Sequence, residues 1–418
     1  MSTPPIRLPS GVRDFLPRAA ARRRSLAEKV MAVFEAWGYA RIITPYFECA
    51  DVLERGLGAG GRASAIRFVE PGTGEVVALR PDITPQIARV VATRMQEIPG
   101  PIRLCYEGAV TRFAGEAGQR EILQAGIELV DAPEPDGDAE VLAVAAAALA
   151  HMGLPEIRID VGHVAPAAFV LGSAPDAASR VLIASALGRK DRAGVRSAAR
   201  ALPEGIAPLA EALATLWGPA QPTLDKAVAL PWPEPVMAAL EQLRVVLAAF
   251  GELAEQPAPS VTIDLGDLRG FDYYTGVRFA AYAGGAPDAV LRGGRYDELL
   301  GKYGRAAQAT GFAIDLEAVA QAQRSIGVAP PSAVIGVAVH GAGASELARA
   351  LRATGLRAVV QQRAPEAWGA WLRGAALDAA IVGDQLIGSD DGSRSAKRAI
   401  EEARAGDTKA LIALLKAP

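Results

Sequence analysis

Apolar residues at Leu26, Val30, Val33 and Phe34 recur at helical spacing and predict an amphipathic helix over 18–37, stopped by Gly38 before a short β-rich stretch at 40–44. Thr84 followed by Pro85 predicts a second helix start, because a hydroxyl can cap the first free N–H groups and proline occupies a position that needs none; this helix runs through Arg94. Segments 102–112 and 122–130 read as two strands joined by a polar, glycine-bearing loop, an antiparallel hairpin. An alanine-rich helix over 138–152, a strand over 157–161 and a mainly helical region from about 165 to 250 follow. Strand patterns return at 261–265, 276–282 and 289–291, and a helix is predicted to begin near Tyr296. Strands here outnumber any parallel βαβ repeat. The expected class is α+β, an antiparallel sheet flanked by helices.

The stretch 328–333 carries two prolines and reads as a linker. Beyond it the pattern changes to strand (334–339), glycine turn, helix (345–354), strand (358–361), helix, strand (379–382), a small α/β unit. The expected organisation is a domain over 1–328, with the helical insertion at about 165–250, and a small domain over 333–418. No internal repeat is visible.

Composition narrows the function classes. Lys and Arg total 44 against 47 Asp and Glu, a net charge of -3, so no whole-chain positive field recruits nucleic acid. Cys49 and Cys105 are too few for a disulfide framework, which fits a reducing compartment. The N-terminus lacks the apolar core of a signal peptide, and the longest apolar run, 141–150, is far below the roughly 18 residues that span a bilayer, so a cytoplasmic protein without membrane attachment is expected. His151, His163 and His340 are well separated. No metal and no cofactor is expected.

Gly56-Leu57-Gly58-Ala59-Gly60-Gly61 fits GxGxxG but follows a helix-like segment instead of a strand, so it reads as a glycine loop and not a dinucleotide site. His340-Gly341-Ala342-Gly343 reads as a tight turn between strand and helix, an anion-binding turn being the alternative. Three other segments set polar residues in apolar surroundings, where an unpaired charge is costly. In the first, Asp82 and Thr84 put a carboxylate and a hydroxyl at a helix start, able either to hold an ammonium or simply to cap the helix. In the second, strand alternation puts Gln124, Gly126 and Glu128 on one face and Leu123, Ala125 and Ile127 on the other, the pattern of a ligand-lining or of a solvent-facing sheet. The third joins Arg269, able to bind a carboxylate bidentately, to the phenols of Tyr273 and Tyr274. Together they complement an amino acid with a polar ring.

These segments resemble class II histidyl-tRNA synthetase. Leu79-Arg80-Pro81-Asp82-Ile83-Thr84-Pro85-Gln86 is similar to the family's LRPEGTA segment, 124–128 (QAGIE) to its HQxGxE strand, and 269–276 (RGFDYYTG) to its histidine-specific RGLDYYT signature. Gly293-Gly294-Arg295-Tyr296-Asp297 and 311–314 (GFAI) resemble its GGRYD and motif 3, and the likeness runs from about Leu8 to Ile326. The resemblance implies an L-histidine site: Asp82, Thr84 and Gln124 on the α-amino end, Arg269 with Arg112 on the carboxylate, and Glu128 and Tyr274 with Tyr273 on the imidazole. It also implies a homodimer formed through the helix-to-strand stretch 38–45, and a C-terminal domain similar to a diverged anticodon-binding domain, although no aromatic and basic motif for RNA bases is present.

The pattern departs from the family on the ATP side. The motif 2 glutamate is replaced by Ala114, and in motif 3 a glycine becomes Asp315 and an arginine Ala318. Exchanging a cation on the triphosphate for a methyl and adding a carboxylate reverses the local electrostatics, so adenylation is not expected. A site that keeps the ligand and discards the reaction reads as a sensor. The members of the family with that description are the non-catalytic regulatory subunits of short-form ATP phosphoribosyltransferase, which imply a separate catalytic subunit as partner in a hetero-oligomer, feedback control of histidine biosynthesis, and no tRNA. The alternative is a diverged histidyl-tRNA synthetase.

Overall fold

The computed structural model describes residues 7–113, 118–268, 273–328, 335–390 and 392–416. The chain forms two compact units, Met1–Asp14 with Arg23–Val328, and Phe15–Arg22 with Ala329–Pro418. Among the described residues, no helix is long and apolar enough to cross a membrane.

The larger unit carries strands β1 (Ala40–Arg41), β2 (Phe47–Cys49), β3 (Arg67–Val69), β4 (Val76–Leu79), β5 (Ile102–Thr111), β6 (Glu121–Val130), β7 (Arg158–His163), β8 (Trp217–Pro219), β9 (Ser260–Asp264), β10 (Val277–Tyr282), β11 (Leu291–Arg295) and β12 (Ala309–Asp315). Nine of them form one sheet in the order β1-β5-β6-β12-β11-β10-β7-β9-β8, and β2, β4 and β3 form a small second sheet. Pairing is antiparallel except for β1 with β5 and β7 with β9. The antiparallel α+β reading holds, with two parallel pairs that it did not foresee.

The cross-strand register sorts side chains onto two faces, since alternate residues of a strand point oppositely. Cys105, Ile127, Phe312, Leu291, Phe279 and Val161 fall on one face and join the main core with the helices Pro17–Ala36, Asp136–Ala150 and Glu234–Leu253. Phe34 of the first helix meets Phe312 edge-on, ring centroids 5.6 Å apart. Leaving that helix requires a left-handed residue, which Gly38 supplies at φ +85°. The opposite face reads Tyr106, Gly108, Gln124, Gly126, Glu128, Gly311, Gly294 and Arg278 along the register. It is this polar, glycine-rich face that positions the site.

Several expectations are corrected. No α-helix starts near Tyr296: Asp297 Oδ1 accepts the Ala309 N–H (2.9 Å), and a short 3-10 helix, Leu300–Tyr303, ends at Gly304 with φ +98°. The strand expected at 289–291 lies at Leu291–Arg295, and β12 was read only as a motif. The 56–61 glycines are not a loop throughout, because Ala59–Ser64 is helical. Gly56 is a packing glycine: a Cβ there would lie 2.5 Å from the Tyr303 hydroxyl and 2.6 Å from Pro85.

The smaller unit has a five-stranded sheet, β13 (Gly336–His340), β14 (Arg357–Val360), β15 (Ala379–Val382), β16 (Gln385–Gly388) and β17 (Ser393–Ser395), in the order β14-β13-β15-β16-β17. The first three strands are parallel and the last two antiparallel. The turn after β13 uses left-handed Gly341 and Gly343 before the helix Ala344–Ala353, and His340 Nδ1 bonds the Gln361 carbonyl at 2.7 Å. The linker residues 329–334 lie outside the described residues.

Candidate ligand site

Glu128 of β6 sits at the centre of the polar face, 2% exposed. One carboxylate oxygen accepts the Thr84 hydroxyl at 2.6 Å, and the other accepts the Tyr296 hydroxyl. Glycine makes this possible: a Cβ at Gly311, directly across the ladder, would lie 2.3 Å from Glu128 Oε2 and 2.3 Å from the Ile127 carbonyl. At Gly126 it would lie 2.5 Å from the Tyr106 hydroxyl, and at Gly294 2.7 Å from the Val277 carbonyl and 2.8 Å from the Tyr274 ring. The floor of the site is backbone. Burial pushes the Glu128 carboxyl well above its usual range, Asp82 adds in the same direction, and the Thr84 hydrogen bond opposes both.

Thr84 and Asp82 are brought to Glu128 by the start of the helix Thr84–Arg94. The expectation that Thr84 caps this helix is corrected: its hydroxyl donates to Glu128, and Asp82 Oδ1 accepts the Thr84 N–H at 3.2 Å. An arginine two residues before Asp82 fixes the approach. Arg80 is buried and donates to the Ala109 carbonyl (2.8 Å) and to the carbonyl and hydroxyl of Thr44 (2.9 Å each), tying the helix start to β5. Gly108 leaves room for it, since a Cβ there would meet Arg80 Nη2 at 2.4 Å.

On the other side stand Tyr273 and Tyr274, ring centroids 5.4 Å apart and edge-on, with Tyr296 5.2 Å from Tyr273. Burial raises the phenols of Tyr106, Tyr273 and Tyr274, with Glu128 and Asp82 pushing the same way. Arg295, just before Tyr296, is wholly buried behind the sheet and held by Glu134 (2.7 Å), Asp138 (3.0 Å) and Asp297 (3.1 Å). The Thr275 N–H donates to the Arg295 carbonyl at 2.7 Å, which pins the tyrosine segment to β11.

Three buried polar atoms of this region, Gln124 Oε1 and the hydroxyls of Tyr106 and Tyr273, have no hydrogen-bond partner among the described residues. Unsatisfied buried groups are costly and rare. Three of them beside a buried carboxylate mark a place for a polar ligand. The structure thus brings Asp82, Thr84, Gln124, Glu128, Tyr273 and Tyr274 to one face. Arg112 lies at the margin, its Nε donating to the Pro81 carbonyl at 3.1 Å, and Arg269 lies outside the described residues. The polar alternation of β6 is settled as interior, because Gln124, Gly126 and Glu128 are all buried. Sequence reasoning gave no role to Tyr106 and Tyr296; their signal was a tyrosine opposite Gly126 in the hairpin register and the tyrosine of Gly293-Gly294-Arg295-Tyr296-Asp297.

The neighbouring end of the face is built differently. Asp315 of β12 caps the helix Leu316–Ser325, its Oδ1 accepting the N–H groups of Glu317 and Ala318 at 2.9 Å each. Glu317 is buried and paired with Arg13 (2.9 Å) and Arg23. Asp315 is therefore first a structural cap, a role that the motif reading did not give it. Ala318 packs against the main core, and Ala114 lies outside the described residues.

The histidyl-tRNA synthetase family model matches residues 11–319. An ATP phosphoribosyltransferase regulatory subunit of Anaeromyxobacter dehalogenans (strain 2CP-1) is 45% identical over 322 residues, covering 75% of this chain and 90% of that one. One from Moorella thermoacetica is 37% identical over 366 residues, 85% of this chain and 92% of that one. Among solved structures, an ATP phosphoribosyltransferase regulatory subunit/histidyl-tRNA synthetase of Bacillus halodurans superimposes with a TM-score of 0.78 at 27% identity, covering 89% of this chain and 97% of that one. The histidyl-tRNA synthetase of Nostoc sp. PCC 7120, at 20% identity and a TM-score of 0.77, covers 96% of this chain and 100% of that one and shares the fold. With the family model matched over most of its length and regulatory subunits matched at this identity, the chain belongs to the ATP phosphoribosyltransferase regulatory subunits, a family built on the histidyl-tRNA synthetase core.

Proposed function

We propose that this chain binds L-histidine on the polar face and, without catalysing a reaction itself, makes a short-form ATP phosphoribosyltransferase catalytic subunit both active and sensitive to histidine. The observation that supports the reading most strongly is the meeting of buried Glu128, Thr84 and Asp82 with the unpartnered Gln124, Tyr106 and Tyr273. In this reading Asp82, Thr84 and Gln124 take the ammonium, Arg112 and Arg269 the carboxylate, and Glu128 with Tyr273 and Tyr274 the ring. The ATP phosphoribosyltransferase partner is supported by the name that the relatives carry, and the place in histidine biosynthesis by the resemblance of the sequence.

Homodimerisation fits the exposed apolar side chains that follow the first helix. Ile43 is 87% exposed, and Tyr46 and Phe47 are exposed beside it. The C-terminal unit is read as a diverged anticodon-binding-like domain without a tRNA to bind, and a cytoplasmic location suits the pathway.

Two measurements test the reading. Mixing the purified chain with a short catalytic subunit is expected to raise phosphoribosyl transfer and to make it histidine-sensitive, with a coupling of about 1 to 3 kcal/mol. No change in rate refutes the partnership. Calorimetric titration is expected to show histidine binding that weakens in Asp82→Ala and Glu128→Ala, and undiminished affinity in both removes the pocket assignment. Histidine-dependent ATP–pyrophosphate exchange would instead establish a diverged synthetase.

A further inference from the structure

The mainly helical region contains a helix that is apolar on both sides. In Ala177–Gly188 the side chains of Ile183, Ala186 and Leu187 are buried in the main core, while Ala178, Val181, Leu182 and Ser185, at helical spacing on the outward side, are exposed. Val181 is 65% exposed and Leu182 62%. A helix apolar all round is normally covered, and an exposed apolar patch with a polar rim marks a place of contact.

The rim is basic. Residues 177–200 carry six basic side chains against one acidic, a net charge of +5 within a chain whose total is -3. The next helix, Arg192–Ala198, exposes Arg192 and Arg196, and Arg200 follows, also exposed. Arg196 pairs with Glu211 at 2.9 Å, whereas Arg192 and Arg200 form no ion pair among the described residues. The two helices make a firm hairpin. Asp176 and Asp191 cap them, accepting the N–H groups of Ser179 (2.7 Å) and Gly194 (2.9 Å), and Gly194 allows a close crossing, since a Cβ there would lie 3.3 Å from that of Ala186. Lys190 in the turn pairs with Asp264 at the end of β9 at 2.5 Å, and Trp217, 59% exposed, stands opposite Asp264 in the β8–β9 register. Tryptophan and arginine around an apolar centre are the make-up of a protein interface.

Charge and position select the occupant. Two copies of this chain meeting symmetrically here would set arginine against arginine. An RNA would find at the centre aliphatic side chains, on which bases do not stack. A different protein, acidic around an apolar centre, meets neither objection. The turn of the hairpin is also tied to the ligand site, because Asp264, Asp267, Arg278 and Tyr274 line one cleft and Arg278 pairs with Asp267 at 2.9 Å. A chain seated on the hairpin thus rests on an element that reaches the cleft beside Tyr274, as suits the partner that a bound ligand has to control. Resting on the reading of the catalytic subunit as that partner, we infer that the hairpin 177–200, with Trp217 at its foot, is the surface on which the catalytic subunit docks.

The test uses the full chain with a short-form catalytic subunit, association being followed by sedimentation and by activation of phosphoribosyl transfer. Leu182→Asp is expected to weaken association at least about thirtyfold, the scale of a hot-spot loss. Arg192→Glu combined with Arg200→Glu is expected to weaken it about tenfold and to flatten its salt dependence. These side chains point outward, so the melts of the variants alone are expected to match wild type; if Leu182→Asp melts lower, the milder Leu182→Ser takes its place in the comparison. Variants that associate and activate as wild type does overturn the docking surface and leave the partnership standing. A wild-type chain that neither binds nor activates the catalytic subunit overturns the partnership and the inference with it. A changed size of the variants alone assigns the patch to a second copy, and RNA binding abolished by the arginine pair with association unchanged assigns it to RNA; either result overturns the inference.

Discussion

The two ends of the polar sheet face differ in how their buried polar groups are satisfied. Around Asp315 and Glu317 the chain supplies its own counter-groups: two N–H groups on one carboxylate and the charges of two arginines on the other, although the Arg23–Glu317 ion pair lacks hydrogen-bond geometry. Around Glu128 it does not, and Gln124, Tyr106 and Tyr273 are left without partners among the described residues. The first arrangement stabilises a fold, and the second, as it stands, costs stability. On the proposed reading, a motif position that no longer serves a reaction is reused as architecture, while the ligand-binding positions stay unsatisfied.

The comparison breaks most readily at its floor. Gly311→Ala pushes a methyl into Glu128 Oε2 and the Ile127 carbonyl. It is expected to lower stability by about 3 kcal/mol, the upper range of overpacking, and to abolish histidine binding, both readable from thermal melts with and without ligand. An unchanged melt would mean that the floor is not close-packed.

His163 offers a sharper contrast of nearly the same size, as a buried polar group that the chain satisfies at a third place. It caps the helix Val164–Gly172, its Nδ1 accepting the Ala165 N–H at 3.1 Å, and burial with Arg278 and Arg295 nearby depresses it to about 4. The unfolded chain, near 6.5, therefore binds the proton first, so this contribution is intact above about pH 6.5 and is lost as pH falls toward 4. Asp138, pushed up by burial to about 6, has the opposite sign and gains stability as pH falls. His163→Asn keeps a cap acceptor without the titration. The stability of the variant relative to wild type is expected to improve by about 3 kcal/mol between pH 6.5 and 4, and a parallel pair of pH curves would count against a neutral His163.

Next comes the ligand end itself. Glu128→Gln is expected to weaken histidine by about 30-fold, within the range of a lost charge-assisted hydrogen bond, while melting no lower than wild type, because a buried carboxyl is removed. A stability loss with unchanged affinity would reverse the contrast. The smallest effect belongs to the other end: Asp315→Ala is expected to cost about 1 kcal/mol as a lost helix cap and to leave histidine affinity within twofold in a titration.

Much of this was legible in the chain. The hairpin of β5 and β6 alternates clearly because one side is the apolar core, and its expected bounds fall within a residue of those observed. The small sheet gave no such signal, since β3 is exposed along its whole length and has no buried side to set a period. The false helix after Tyr296 arose because 296–303 is apolar enough for a helix, while Gly304 and the Asp297 hydrogen bond to Ala309 turn the chain back into β12. At the site, residue types named Asp82, Thr84, Gln124 and Glu128. Which hydroxyl serves Glu128 and which carboxylate serves the helix depends on directions that only the packed structure fixes.

The backbone floor of the pocket has a consequence for how the site tolerates substitution. Gly126, Gly294 and Gly311 are defined by atoms that are missing, and at each the first added carbon collides with main chain. Side-chain walls can be retuned in small steps, but a floor of this kind offers no graded variants. On the proposed reading this floor fixes the ligand shape, and a change in what is bound falls to the tyrosine side of the pocket.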